Sequence, residues 1–121
     1  MTPIDFKTAA EWEIQAYLVH ELAKLGLFVA EVNYTLGNPS AVSRTTPGFP
    51  DLAIIGMGRV HLWECKSKEG RLSDTQRIFH KKAKDVGYYV PVVRSLDDAL
   101  NLYDVQFRHA RRCSRCGAII A

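Results

Sequence analysis

The run RVHLWECK at residues 59–66 ends by placing a glutamate and a lysine two residues apart. Its composition is that of a strand. Strand side chains alternate, so Val60, Leu62, Glu64 and Lys66 share one face and His61, Trp63 and Cys65 the other. Both sets are largely apolar, which predicts a strand covered on both sides. A charge held there is costly unless it is paired or bound to a metal. An ion pair at a strand end is the plain explanation. The stretch TPGFPDLAII, however, brings a second carboxylate, Asp51, to the head of another apolar run. GMGR between the two runs reads as a turn, so they pair as an antiparallel hairpin, and Asp51 falls beside Glu64 and Lys66.

Two carboxylates held close repel, and one of them is driven toward its neutral form. A divalent cation resolves the conflict, and oxygen-only ligands favour a hard ion such as Mg²⁺ or Mn²⁺. Such a centre polarises a phosphate and lowers the pKa of bound water. A lysine alongside orients that water or offsets developing negative charge.

Positioning these residues needs a small scaffold. Residues 6–25 show helical spacing through Ile14, Leu18, Leu22 and Leu25, with Gly26 as the stop. Residues 27–34 read as a strand, 36–50 as a loop rich in Gly, Pro, Ser and Thr, and 51–55 and 60–66 as the hairpin strands. Ser73 with Gln76 three residues on fits a capping box, opening a helix whose apolar side carries Ile78, Phe79 and Ala83. YYVPVV, residues 88–93, is a fourth strand, placed at an edge or bulged by Pro91. Ser95 caps a last helix running to residue 107. Trp63, Phe79 and Tyr89 are expected in the core. The order α-β-β-β-α-β-α predicts an α/β fold, a mixed sheet flanked by helices.

The chain has 121 residues, 47% of them hydrophobic, which suits one domain. No signal-like start and no apolar run near the roughly 20 residues of a membrane span is present, so a cytoplasmic protein with no membrane contact is expected. Three cysteines without a secretory signal argue against a disulfide framework. The net charge of +3 permits an acidic partner without requiring one.

These blocks together resemble the PD-(D/E)xK nuclease superfamily: PD at Pro50-Asp51, and ECK at Glu64-Cys65-Lys66. More narrowly, EWEIQAYLVHEL, PGFPDLAII, HLWECKSKEGRLSDTQ and VPVVRSLDDAL look like a virus-type replication-repair nuclease (VRR-NUC) domain, over roughly residues 8–102. The resemblance implies that Asp51, Glu64 and the backbone carbonyl of Cys65 bind Mg²⁺ or Mn²⁺. It further implies that Lys66 is the catalytic lysine, that Gln76 orients the site, and that a glutamate of the first helix completes the acidic cluster. Glu11 and Glu13 both stand before Ile14. Helical phase puts Glu11 with Ile14, Gln15 and Leu18, and Glu13 about 160° away, which favours Glu11 and leaves Glu13 as the alternative. Gln15 is a further neighbour of the site. The implied activity is metal-dependent hydrolysis of phosphodiester bonds in branched DNA, four-way junctions included, by a homodimer.

Residues 1–107 are read as the nuclease-like domain and 108–121 as a basic tail. Arg44, Arg71, Arg77 and Lys81 are candidate DNA contacts, with ordinary solvated side chains as the alternative. His80 lies one helical turn after Gln76, at the edge of the expected site, whereas His61 points away from it. In the tail, Cys113 and Cys116 form a CxxC, which is half a zinc site. Two rival readings follow: a non-catalytic module that binds branched DNA, and a zinc-dependent interaction protein built on that CxxC.

Overall fold

Helix α1 (Glu11–Ala23) buries Ile14, Tyr17, Leu18 and Leu22, the stripe its spacing predicts. It begins at residue 11 rather than 6 because Asp5 builds a turn of its own. The Asp5 carboxylate accepts the Lys7 N–H at 3.0 Å, and its carbonyl accepts the Ala9 N–H at 2.9 Å. Short polar side chains compete in this way with the first turn of a helix. Just beyond the helix, Gly26 takes φ +81°, the left-handed stop that glycine supplies.

The computed structural model describes residues 3–32 and 46–108, and the backbone of residues 111–112 and 119–120. It is a mixed α/β structure. Strands β1 (Phe28–Glu31), β2 (Leu52–Gly56), β3 (Arg59–Cys65) and β4 (Val92–Val93) form one sheet in the order β1-β2-β3-β4. The first three are antiparallel, and β4 runs parallel to β3. Met57 and Gly58 join β2 to β3 with φ of 54° and 74°. Two left-handed residues are the signature of a type I′ turn, whose twist suits a tight hairpin. That turn sets the register, Leu52 opposite Trp63 and Ile54 opposite His61. Continued one step, it places Asp51 opposite Glu64.

The core is shared by α1, the sheet and the C-terminal helical segment. Ile14, Leu18, Leu22, Leu52, Ile54, Trp63, Cys65, Val93, Ala99 and Phe107 form one buried cluster. Each large aliphatic side chain there contributes about 1.5–3 kcal/mol. The indole N–H of the fully buried Trp63 donates to Gln106 Oε1 at 2.7 Å, so no polar group is stranded with it. Only the C-terminal half of β3 is covered on both faces, because Val60 is 58% exposed. The expectation of two-sided cover thus holds at Trp63, Glu64 and Cys65 and fails before them.

Helix α2 (Asp74–Asp85) starts as its sequence dictates. The Ser73 hydroxyl accepts the Gln76 N–H at 3.2 Å, and Gln76 Oε1 accepts the Ser73 N–H at 2.8 Å. It has no fully buried residue, however. Ile78 is 54% exposed, and Tyr89, expected in the core, is 72% exposed. Tyr88 is the aromatic that turns inward. The Leu62 N–H donates to its hydroxyl at 2.7 Å, filling the ladder position that the two-residue β4 leaves open. Pro91 precedes β4 at the sheet edge, where a missing N–H costs nothing.

Helix α3 (Leu96–Tyr103) is capped by Ser95, whose hydroxyl accepts the Asp98 N–H at 3.1 Å, and passes into a wider π turn (Asp104–Arg108). Beyond it, β5 (Arg111–Arg112) pairs antiparallel with β6 (Ile119–Ile120), a small second sheet not anticipated in the sequence. Among the described residues, no helix is long and apolar enough to cross a membrane.

Candidate metal centre

Alternation along β3 separates its last side chains. Trp63 and Cys65 enter the core, while Glu64 points to the other face and is fully buried there. Its two oxygens have different surroundings. Oε1 lies 3.3 Å from His80 Nε2, and Oε2 is buried with no hydrogen-bond donor. The acidic neighbour of the Glu64 carboxyl is Asp51, and two carboxyls can hydrogen-bond each other only by sharing a proton. The backbone holds Asp51 in turn: its Oδ2 accepts the Cys65 N–H at 3.1 Å, and its carbonyl accepts the Val32 N–H at 2.7 Å.

Burial first, and then the Asp51 carboxyl, push the Glu64 carboxyl up to about 9; Glu11 adds to the rise and Lys66 opposes it. His80 moves the other way, held below the usual imidazole range by burial and by the Lys66 ammonium. Near neutral pH, the His80–Glu64 contact is therefore a hydrogen bond between neutral groups rather than an ion pair. The Cys65 thiol is pushed up to about 12 by burial and by Asp51, Glu11 and Glu64, so it stays protonated and serves as packing.

Lys66 follows Glu64 on the same face. Its N–H donates to the Val93 carbonyl at 3.0 Å, and its Nζ stands 3.7 Å from Glu11 Oε2. The Lys66 side chain is nearly buried at 10% exposure, against 41% for the Glu11 side chain. Burial raises the Glu11 carboxyl, with Lys66 opposing and Asp51 adding. Glu13, the alternative, accepts the Ala10 N–H at 3.2 Å and caps its own helix. Gln15 donates to Glu31 Oε1 at 3.1 Å.

The Pro-Gly-Phe-Pro stretch before Asp51 docks against α2. Gly48 has φ +78°, and a Cβ there would run into the Thr75 carbonyl and the Gln76 nitrogen. Phe49 meets Phe79 edge-on, with ring centroids 5.2 Å apart. Arg94 closes the turn after Lys66: its Nη1 donates to the carbonyls of Ser67 at 2.6 Å, Gly70 at 2.7 Å and Lys68 at 3.2 Å.

The structure thus brings together Asp51, Glu64, Lys66 and Glu11. The Gln76 carbonyl oxygen is engaged in the helix cap, and the α2 side chain that reaches Glu64 is His80. Sequence spacing carried that signal, because residues 76 and 80 share a helix face. Arg71 is exposed, Arg77 pairs with Asp74 and donates to the Leu72 carbonyl, and Lys81 pairs with Asp85 at 3.0 Å. Arg44, Cys113 and Cys116 lie outside the described residues.

Among the described residues, no three His, Cys, Asp or Glu side chains form a ready-made cage for an ion. The chemistry present fits a less enclosed site. Two carboxylates that must share a proton, one with a donorless buried oxygen, suit a hard divalent ion. Mg²⁺ in particular is commonly held by one or two carboxylates, with water and substrate oxygens completing the shell. No family model matches the chain, and neither does any curated protein.

Proposed function

We propose that this chain is a divalent-metal-dependent endonuclease with a PD-(D/E)xK-type core, hydrolysing phosphodiester bonds in branched DNA such as four-way junctions. The observation that carries the reading is the donorless, buried Oε2 of Glu64, on a carboxyl that has Asp51 as its neighbour and feels the charge of Lys66. A structural ion pair would instead satisfy Glu64 with Lys66. Here the near partner of Lys66 is Glu11, and Glu64 is left with His80 on one oxygen and a second acid as its neighbour.

In this reading Asp51 and Glu64 hold Mg²⁺ or Mn²⁺, with the Cys65 carbonyl as a further oxygen ligand. The ion supplies charge that polarises the scissile phosphate and acidifies water. Asp51 is aimed by the Cys65 N–H. Lys66, fixed by β4 behind it and Glu11 beside it, offsets negative charge developing on the phosphate and orients the attacking water. Gln76, at the start of α2, lines the approach. Arg71 stands exposed at the entry to α2, and Arg44, Arg77 and Lys81 complete the expected contacts to the DNA backbone. Acting as a homodimer, two such sites would cut two strands symmetrically about a two-fold axis.

A cleavage panel of single strands, duplex, flaps and four-way junctions in Mg²⁺ or Mn²⁺ tests the proposal. Metal-dependent cutting, strongest on branched forms and abolished by Asp51→Asn, is expected. Binding of branched DNA without cutting would move the chain to a non-catalytic module. Stoichiometric zinc lost on Cys113→Ser, with no cutting, would favour the interaction protein.

A further inference from the structure

The unequal surroundings of the two Glu64 oxygens define a job for a residue outside the acidic pair. A carboxylate at the end of a Glu side chain turns easily about its last bond. Presenting one chosen oxygen to an ion therefore needs a partner that fixes the other. His80 Nε2 is 3.3 Å from Oε1, while Oε2 is buried without a donor on a carboxyl that has Asp51 as its acidic neighbour. The imidazole is itself constrained, at 15% side-chain exposure. The helix beneath it is located by the Ser73 cap, by the close approach of Gly48 to Thr75, and by the Phe49–Phe79 contact of the neighbouring residue. Gln76, one turn earlier, has its carbonyl oxygen committed to the cap.

We propose that His80 is a positioning residue: its hydrogen bond to Oε1 locks the Glu64 carboxylate so that Oε2 is presented beside Asp51 to a divalent cation. This rests on the metal-centre reading above. With Glu64 ionised, Nε2–H donates to Oε1, and no proton need be transferred for the role. Hydrogen-bond partners of metal-binding carboxylates typically matter 10–100-fold for metal affinity.

The test is Mn²⁺ binding to the full chain, followed by loss of the free-ion EPR signal, without DNA. His80→Gln and His80→Met have similar length and shape, but only glutamine keeps an N–H donor. Because α2 carries no fully buried residue, both variants are expected to melt within a few degrees of wild type in chelator. The proposal expects His80→Gln to bind Mn²⁺ within about threefold of wild type and His80→Met to lose about 10–100-fold. Equal affinity for the two variants overturns the positioning role while leaving the metal centre standing. A wild-type chain that takes up no Mn²⁺ overturns the metal centre, and this role with it.

Discussion

Replacing Glu64 by glutamine in chelator should make the protein's stability less sensitive to alkali. The folded-state carboxyl sits at about 9, and its unfolded reference is 4.5. The folded chain therefore binds the extra proton in between, and stability falls as pH rises through that interval. The slope is at most about 1.4 kcal/mol per pH unit. The cleanest window is pH 6.5–8.0. Below it, His61 and His80, both held low by burial, give stability the opposite slope. Above it, the Cys65 thiol adds a loss of its own, because the unfolded chain ionises it first. Over 1.5 units the Glu64 contribution is about 2 kcal/mol, or roughly 8 °C of melting temperature for a domain of this size. Glutamine mimics the protonated acid in both states, so Glu64→Gln should match wild type only below about pH 4.5, should already exceed it by about 2.7 kcal/mol at pH 6.5, and should gain about 2 kcal/mol more by pH 8.0. Denaturant melts at both pH values measure the difference. Parallel lines for the two proteins would refute the reasoning. So would a loss above about 2 kcal/mol at pH 6.5, which would mark Glu64 as an ionised structural partner.

Lys66→Ala should lower kcat by about 10²–10³-fold with DNA binding largely retained, read by single-turnover cleavage and gel shift. Arg94→Ala removes a charged donor from three carbonyls and should cost about 1.5–3 kcal/mol, with faster hydrogen exchange at residues 67–70. Gly48→Ala forces a side chain into a left-handed position against the first turn of α2. It should destabilise by more than about 1 kcal/mol and, by lifting α2 from β3, weaken Mn²⁺ uptake in the EPR assay.

The order of elements was legible because each carried its own local signal. These were the Met57-Gly58 turn, the Ser73 and Ser95 caps, Gly26 behind α1, and Pro91 at the edge. The proximity of Asp51 and Glu64 followed from hairpin register alone. The start of α1 was not legible, because the Asp5 turn competes with a helix whose apolar spacing already runs through residue 6. Nor was the exposure of Ile78 and Tyr89, since an apolar stripe does not reveal how deeply a helix settles on its sheet. The contact of His80 with Glu64 depends on that same offset. Spacing marks residues 76 and 80 as one face, but only the docking of Gly48 and Phe49 decides which of them meets the carboxylate. The pairing of β5 with β6 was not legible, because two-residue strands carry too little pattern to announce themselves.

The central claim is that Asp51 and Glu64 jointly hold a hard cation next to Lys66. Anomalous diffraction from crystals soaked in Mn²⁺ tests it most directly. The account predicts a peak bonded to carboxylate oxygens of both residues, with Oε2 as the Glu64 ligand. No peak between them, or an ion bound elsewhere while Oε2 stays buried, would contradict it.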